Sequence, residues 1–176
     1  YARITGKMAA VCVTSGPGGL NTYNGVQGAY VDNIPMIVIA GHPRYETTVE
    51  ATGLHLRCRG VQENDAVTQV KSITKYSAIV TDPYMIKAEV THAIKTAMSG
   101  RRGPVWLSIP LDVQGAVIEE DDLKTALDGI TVDEAGAPAQ EDLDAMYALI
   151  HAAKRPCILT GSGIRAGAAY EEYKTF

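Results

Sequence analysis

The run Thr14-Ser15-Gly16-Pro17-Gly18-Gly19-Leu20-Asn21 has the residue types of a ligand-holding turn. Its three glycines leave out the Cβ atoms that would keep a flat ligand from the backbone, and a helix opening after them would present unpaired N–H groups. It is not a phosphate cradle, since it contains neither G-x-x-x-x-G-K-[ST] nor G-x-G-x-x-G. By shape alone it reads equally as a tight connection. His42, in Gly41-His42-Pro43-Arg44, can exchange protons near neutral pH, or can cap backbone groups of its own loop. Gln62 offers a donor and an acceptor together, and reads equally as a surface glutamine before a helix.

The elements around these residues follow from periodicity. Met8 to Val13 is an almost unbroken apolar run, which predicts a parallel strand buried on both faces. Leu20, Tyr23, Val26 or Gln27, and Tyr30 then recur at helical spacing until Pro35 forbids continuation. Pro35 to Ala40 predicts a second strand, so the glycine turn and the His42 loop both fall at strand carboxyl ends, where open parallel sheets collect ligands. Tyr45 to Gly60 is polar and irregular, with His55, Arg57, Cys58 and Arg59. Asp82-Pro83 opens a helix whose apolar face is Ile86, Val90, Ala93 or Ile94, and Ala97, with Gly100 as the stop; His92 within it reads as structural. Val105 to Ile109 is a short strand ended by Pro110. Alternating strands and helices predict an α/β fold, a parallel sheet covered by helices on both faces.

Composition narrows the partners. Sixteen basic and 20 acidic side chains give a net charge of −4, with no basic cluster beyond Arg101-Arg102, which argues against nucleic acid. No run approaches about 18 apolar residues and no signal peptide opens the chain, which argues against a membrane partner. Cys12, Cys58 and Cys157 are widely spaced without a C-x-x-C pair, as expected in a reducing cytoplasm. Apolar content of 46% supplies a core, mostly of small aliphatic residues because aromatics are only 6%.

The expected domains are 1–115, a linker at 116–139 and a second domain beginning at 140–176. Glu119-Glu120-Asp121-Asp122 in the linker reads as a solvated surface, and Gly136-Ala137-Pro138-Ala139 closes it. Beyond it, Leu143, Met146 or Tyr147, Ile150 and Ala153 share a helix face, and Cys157-Ile158-Leu159 predicts a strand reaching Gly161-Ser162-Gly163. These elements are a second domain's first helix and strand, too short a piece to bury its own core.

Several ordered motifs resemble one family. Tyr1 to Lys7, Thr14 to Asn21, Ala29-Tyr30-Val31-Asp32-Asn33-Ile34-Pro35-Met36, Ser72-Ile73-Thr74-Lys75 and Gly100 to Gln114 are similar, in this order, to the amino-terminal, pyrimidine-binding domain of thiamine diphosphate enzymes of the acetolactate synthase type. The resemblance is strong over residues 1–115 and weak beyond.

The resemblance implies that Gly16, Pro17 and Asn21 line the pyrimidine pocket and that Gln62, the catalytic candidate, faces cofactor and substrate. Val61 stands where the family has an aromatic residue, which implies a wider pocket wall. His42 and Lys75 are expected at the substrate pocket, although an exposed lysine at a strand edge would look the same. The family's activating glutamate is expected upstream of residue 1. Magnesium and the diphosphate are expected on a separate Gly-Asp-Gly domain, so no metal ligand is assigned here. Gly161 to Gly163 falls where some relatives hold a flavin dinucleotide.

The implied reaction is that of a 2-oxo acid decarboxylase or carboligase, most like acetolactate synthase, which converts two pyruvates to acetolactate and carbon dioxide. The implied assembly is a homodimer or homotetramer with the active site between subunits, so this fragment alone should be inactive. Tyr45 to Gly60 is longer than the family's usual loop, and this leaves open another 2-oxo acid or a cyclic diketone as substrate. A non-catalytic binding module of the same fold is the third alternative.

Overall fold

The computed structural model describes residues 1–132 and 136–176, so part of the expected linker, residues 133–135, lies outside the described residues. The chain divides into two compact units, Tyr1–Asp133 and Glu134–Phe176.

In the first unit the elements run α1 (Ala2–Thr5), β1 (Ala9–Val13), α2 (Pro17–Leu20), α3 (Tyr23–Val31), β2 (Met36–His42), α4 (Val49–Thr52), α5 (Ala66–Val70), β3 (Tyr76–Ile79), α6 (Ile86–Met98), β4 (Pro104–Pro110) and α7 (Leu111–Gln114). The four strands form one parallel sheet in the order β1-β2-β4-β3. Passing from β1 to β2 and from β2 to β3 moves the chain one way across the sheet, and returning from β3 to β4 reverses it. Right-handed crossovers therefore place α3 and α5 on one face and α6 on the other.

Alternate side chains of each strand enter two separate cores. Val38, Ala40 and Trp106 pack with Val26 of α3 and with Ala66 and Val70 of α5. Ile37, Val105 and Leu107 pack with Val80 and with Ala93 and Ala97 of α6. The protein is thus an α/β fold with a parallel sheet covered on both faces.

One strand departs from expectation. In β1, Ala10 and Cys12 are exposed while Ala9, Val11 and Val13 are only half-buried. The strand lies at the sheet edge, and α6 packs on β2, β3 and β4, leaving this face of β1 uncovered.

The second unit holds α8 (Gln140–Ala152), α9 (Gly163–Ala166) and α10 (Tyr170–Thr175). The strand expected at Cys157 to Leu159 does not form. A strand needs a hydrogen-bonded neighbour, and none of the described residues of this unit supplies one, so Leu159 is 99% exposed. Met146, Ile150, Ile158, Ile164, Tyr173 and Phe176, with Gly161 and Gly163, border an open apolar groove of about 630 Å³. Among the described residues, no helix is long and apolar enough to cross a membrane.

Candidate functional site

Three segments converge at the carboxyl ends of β1 and β2. The first is the turn after Val13, where Gly16 takes φ +58° and Pro17 opens α2. A Cβ on Gly18 would lie 2.6 Å from Thr14 Cγ2, and one on Gly19 would lie 3.3 Å from the Trp106 ring. A Cβ on Gly16 would overlap the backbone oxygen of Gln62. In the fold these absent Cβ atoms let the turn close on its own chain, the tight-connection role that the sequence left open beside ligand approach. Pro17 and Asn21 are exposed on the outer side of the turn.

Trp106 is the floor beneath this turn. Its indole is fully buried, donates from Nε1 to Ser108 Oγ at 2.9 Å and meets the Tyr23 ring edge-on at 5.8 Å. Tyr23 Oη in turn donates to Gln69 Oε1 at 2.9 Å, and Gln69 Nε2 donates to Asn64 Oδ1 at 2.8 Å. This network carries order from α3 to the segment holding Gln62.

The second segment is the end of β2. Gly41 packs against the turn, where a Cβ would lie 3.4 Å from Ser15 N. His42 is nearly buried, with Nδ1 3.1 Å from Pro43 O. A carbonyl only accepts, so Nδ1 carries the proton and, in the neutral ring, Nε2 is the acceptor.

The third segment is the loop from Tyr45 to Glu63. It is more ordered than its composition indicates, with a 3₁₀ turn at Tyr45–Thr47 followed by α4. Thr48 is buried, donates to Tyr45 O at 2.7 Å and caps α4 by accepting from Ala51 N at 3.1 Å. Asp112, after β4, accepts from Tyr45 N at 3.1 and 3.2 Å. Glu63 accepts from Val49 N at 2.7 Å, Gly60 N at 2.8 Å and Arg59 N at 3.0 Å. Burial opposes its charged form, yet the three amides, with His42 nearby, hold its carboxyl below the ordinary value.

Gln62 is exposed, with φ +53°, a left-handed conformation uncommon outside glycine. Val61 beside it is 83% exposed. The structure thus brings Gly16 and Gln62 into contact, with the end of β2 packed against the same turn.

Lys75 does not join them. It precedes β3, and its backbone N donates to Pro104 O at the start of β4, so it lies at the amino-terminal end of the sheet. Its Nζ donates to Thr96 O at 2.5 Å and Ser99 O at 2.7 Å, capping the carboxyl end of α6. Among the described residues no group of three or more His, Cys, Asp or Glu could hold a metal ion.

Sequence reasoning did not single out Glu63 or Asp112. The available signals were an acid two residues beyond the end of β4 and an acid directly after the candidate Gln62.

Residues 1–70 match the family model described as thiamine pyrophosphate enzyme, N-terminal TPP binding domain. The mitochondrial acetolactate synthase catalytic subunit of Saccharomyces cerevisiae is 32% identical over 170 residues, covering 93% of this chain and 24% of the relative. The acetolactate synthase large subunit of Lactococcus lactis is 30% identical over 176 residues, covering 100% of this chain and 29% of the relative. The chain therefore spans about a quarter of the length of these curated relatives. Among solved structures, the thiamine diphosphate-dependent 4-hydroxybenzoylformate decarboxylase of Rhodococcus jostii RHA1 superposes with a TM-score of 0.77, over 98% of this chain and 31% of its own. At 22% identity this is a likeness of fold.

Proposed function

We propose that this chain, whose residues 1–70 match the model of the N-terminal TPP binding domain of thiamine pyrophosphate enzymes, supplies the pyrimidine side of a thiamine diphosphate site in a 2-oxo acid decarboxylase or carboligase. The acetolactate synthase reaction is the leading assignment, supported by relatives that align over 93% and 100% of the chain. The observation that carries it is the contact between the Gly16 turn and Gln62, which joins the matched turn to an exposed donor–acceptor side chain.

The bound cofactor would supply an electron sink for the carboxylate-bearing carbon of the substrate. This chain's residues bind and orient. The outer side of the turn, with Pro17 and the exposed Asn21 amide, fits one edge of a flat polar ring. Gln62 offers N–H and C=O groups to the reacting substrate. His42 places an acceptor nitrogen at the end of β2. Magnesium and the diphosphate are assigned to another part of the enzyme, and the complete site to an oligomer of it in a reducing cytoplasm.

A second reading keeps the cofactor and changes the substrate to another 2-oxo acid or a cyclic diketone. It is supported by the ordered Tyr45 to Gly60 loop and by the exposed Val61 in place of an aromatic residue.

The test is titration of the full-length protein containing residues 1–176 with thiamine diphosphate and magnesium, followed by carbon dioxide release from pyruvate. Saturable binding with pyruvate turnover is expected. Binding with turnover only of other 2-oxo acids or diketones selects the second reading, and absence of binding overturns both.

A further inference from the structure

We propose that Glu63 is the positioning residue of this site, holding Gln62 in its left-handed turn by clamping the preceding loop through three backbone amides. The clamp rests on distances within this chain. What it positions rests on the function proposed above.

Gly60 to Glu63 is a four-residue turn closed twice. The Glu63 backbone N donates to Gly60 O at 3.2 Å, and the Glu63 carboxylate accepts from Gly60 N at 2.8 Å. Gln62 is the third residue of this turn, the place where a positive φ ordinarily requires glycine or asparagine. A strained backbone of this kind persists only where its surroundings over-determine it.

Here the surroundings are one side chain. Oε2 also takes Arg59 N at 3.0 Å, and Oε1 takes Val49 N at 2.7 Å, so the carboxylate joins the beginning of α4 to the last residues of the loop. Bonds to an ionised acceptor are about twice as strong as neutral ones. Gly60 is buried and admits the close packing, since a Cβ on it would lie 2.9 Å from Pro43 Cβ and 3.5 Å from Glu63 Cβ. The Gln62 carbonyl held in this way is the group that meets Gly16. Disorder introduced at Glu63 therefore reaches Gln62 while the sheet and the turn after β1 stay intact.

The test compares full-length wild type with Glu63→Gln and Glu63→Asp. Three readouts are taken: amide hydrogen exchange, titration with thiamine diphosphate and magnesium, and kcat and KM for pyruvate or for the 2-oxo acid or diketone turned over by wild type. Glu63→Gln should raise exchange across residues 48–62 about tenfold, with β2 and β4 unchanged. It should lower kcat about 10²-fold, the scale of a small misplacement at a reacting centre. The dissociation constant for thiamine diphosphate should move less than about threefold, since the binding turn is retained. Glu63→Asp keeps the charge and should recover exchange protection and kcat in parallel. If Glu63→Gln fails to fold, Glu63→Asp carries the same readouts with smaller changes.

Unchanged loop exchange would overturn the clamp, and raised exchange with unchanged kcat would overturn the positioning role. Raised exchange in the sheet, with equal losses in kcat and cofactor affinity, would make Glu63 merely structural and also overturn it. Wild type that binds no thiamine diphosphate would overturn the proposed function and, with it, the role of the clamp. That outcome is read without any variant, so the two failures are distinct.

Discussion

Gly16 and Gln62 meet so closely that a Cβ on Gly16 would overlap the Gln62 carbonyl oxygen and stand 3.0 Å from Gln62 Cβ. The turn after β1 and the loop before α5 are thus mechanically joined. Gly16→Ala would combine a backbone conformation that costs a non-glycine residue about 1–3 kcal/mol with an overpacking cost of about 1–3 kcal/mol. A lowered urea midpoint and weakened thiamine diphosphate binding are expected together. A variant as stable and as tightly bound as wild type would show that the contact is not rigid.

Gln62 carries the conformational cost of a positive φ. Gln62→Gly relieves the left-handed strain and should stabilise the full-length protein by about 1 kcal/mol in urea denaturation, while turnover falls. Gln62→Ala keeps the strain and should lower turnover more than cofactor affinity. Equal losses in turnover and affinity would instead place Gln62 in the cofactor pocket.

Lys75 gives a contrasting case. Lys75→Met removes donors from Thr96 O and Ser99 O at the end of α6, which should cost about 1–3 kcal/mol of stability. Thiamine diphosphate affinity and the KM for the 2-oxo acid should stay within twofold of wild type, allowing roughly for stability effects. A selective rise in KM in a fully folded variant would return Lys75 to the substrate pocket.

The Glu63 clamp also sets an acid dependence. Its folded-state carboxyl lies below the ordinary value of 4.5, so its stabilisation is fully present above 4.5 and is lost as pH falls through the folded value. The gap between the urea midpoints of wild type and Glu63→Gln should therefore be constant above that range and close below it. A gap that persists in acid would mean that the carboxylate charge is not what holds the loop.

Much of the sheet was legible because burial leaves local marks. Apolar runs ended by Pro110 and a helix stopped at Gly100 depend on neighbours in sequence, and the described elements fall close to those marks. The edge position of β1 and the missing ladder at Cys157 to Leu159 depend on topology, which no short window encodes. The site was half legible. The glycine turn announces itself, but its packing on Trp106 and Gln62 spans residues far apart in the chain. The helix-capping contact of Lys75 was not legible because a long side chain can cross from the start of β3 to a helix end 21 residues on. Glu63 was hidden because an acid beside a candidate glutamine looks like its solvated companion until its amide partners are known.

Asp112 and Glu63 grip the long loop only by main-chain N–H groups, at Tyr45, Val49, Arg59 and Gly60. Every residue except proline carries that group. Exposed side chains between the grips, such as Leu54 and Leu56, can therefore be exchanged without touching these bonds, whereas buried Thr48 cannot. The loop behaves as a cassette in which selection, or a library maker, can rewrite the rim of the site while Gln62 stays in place.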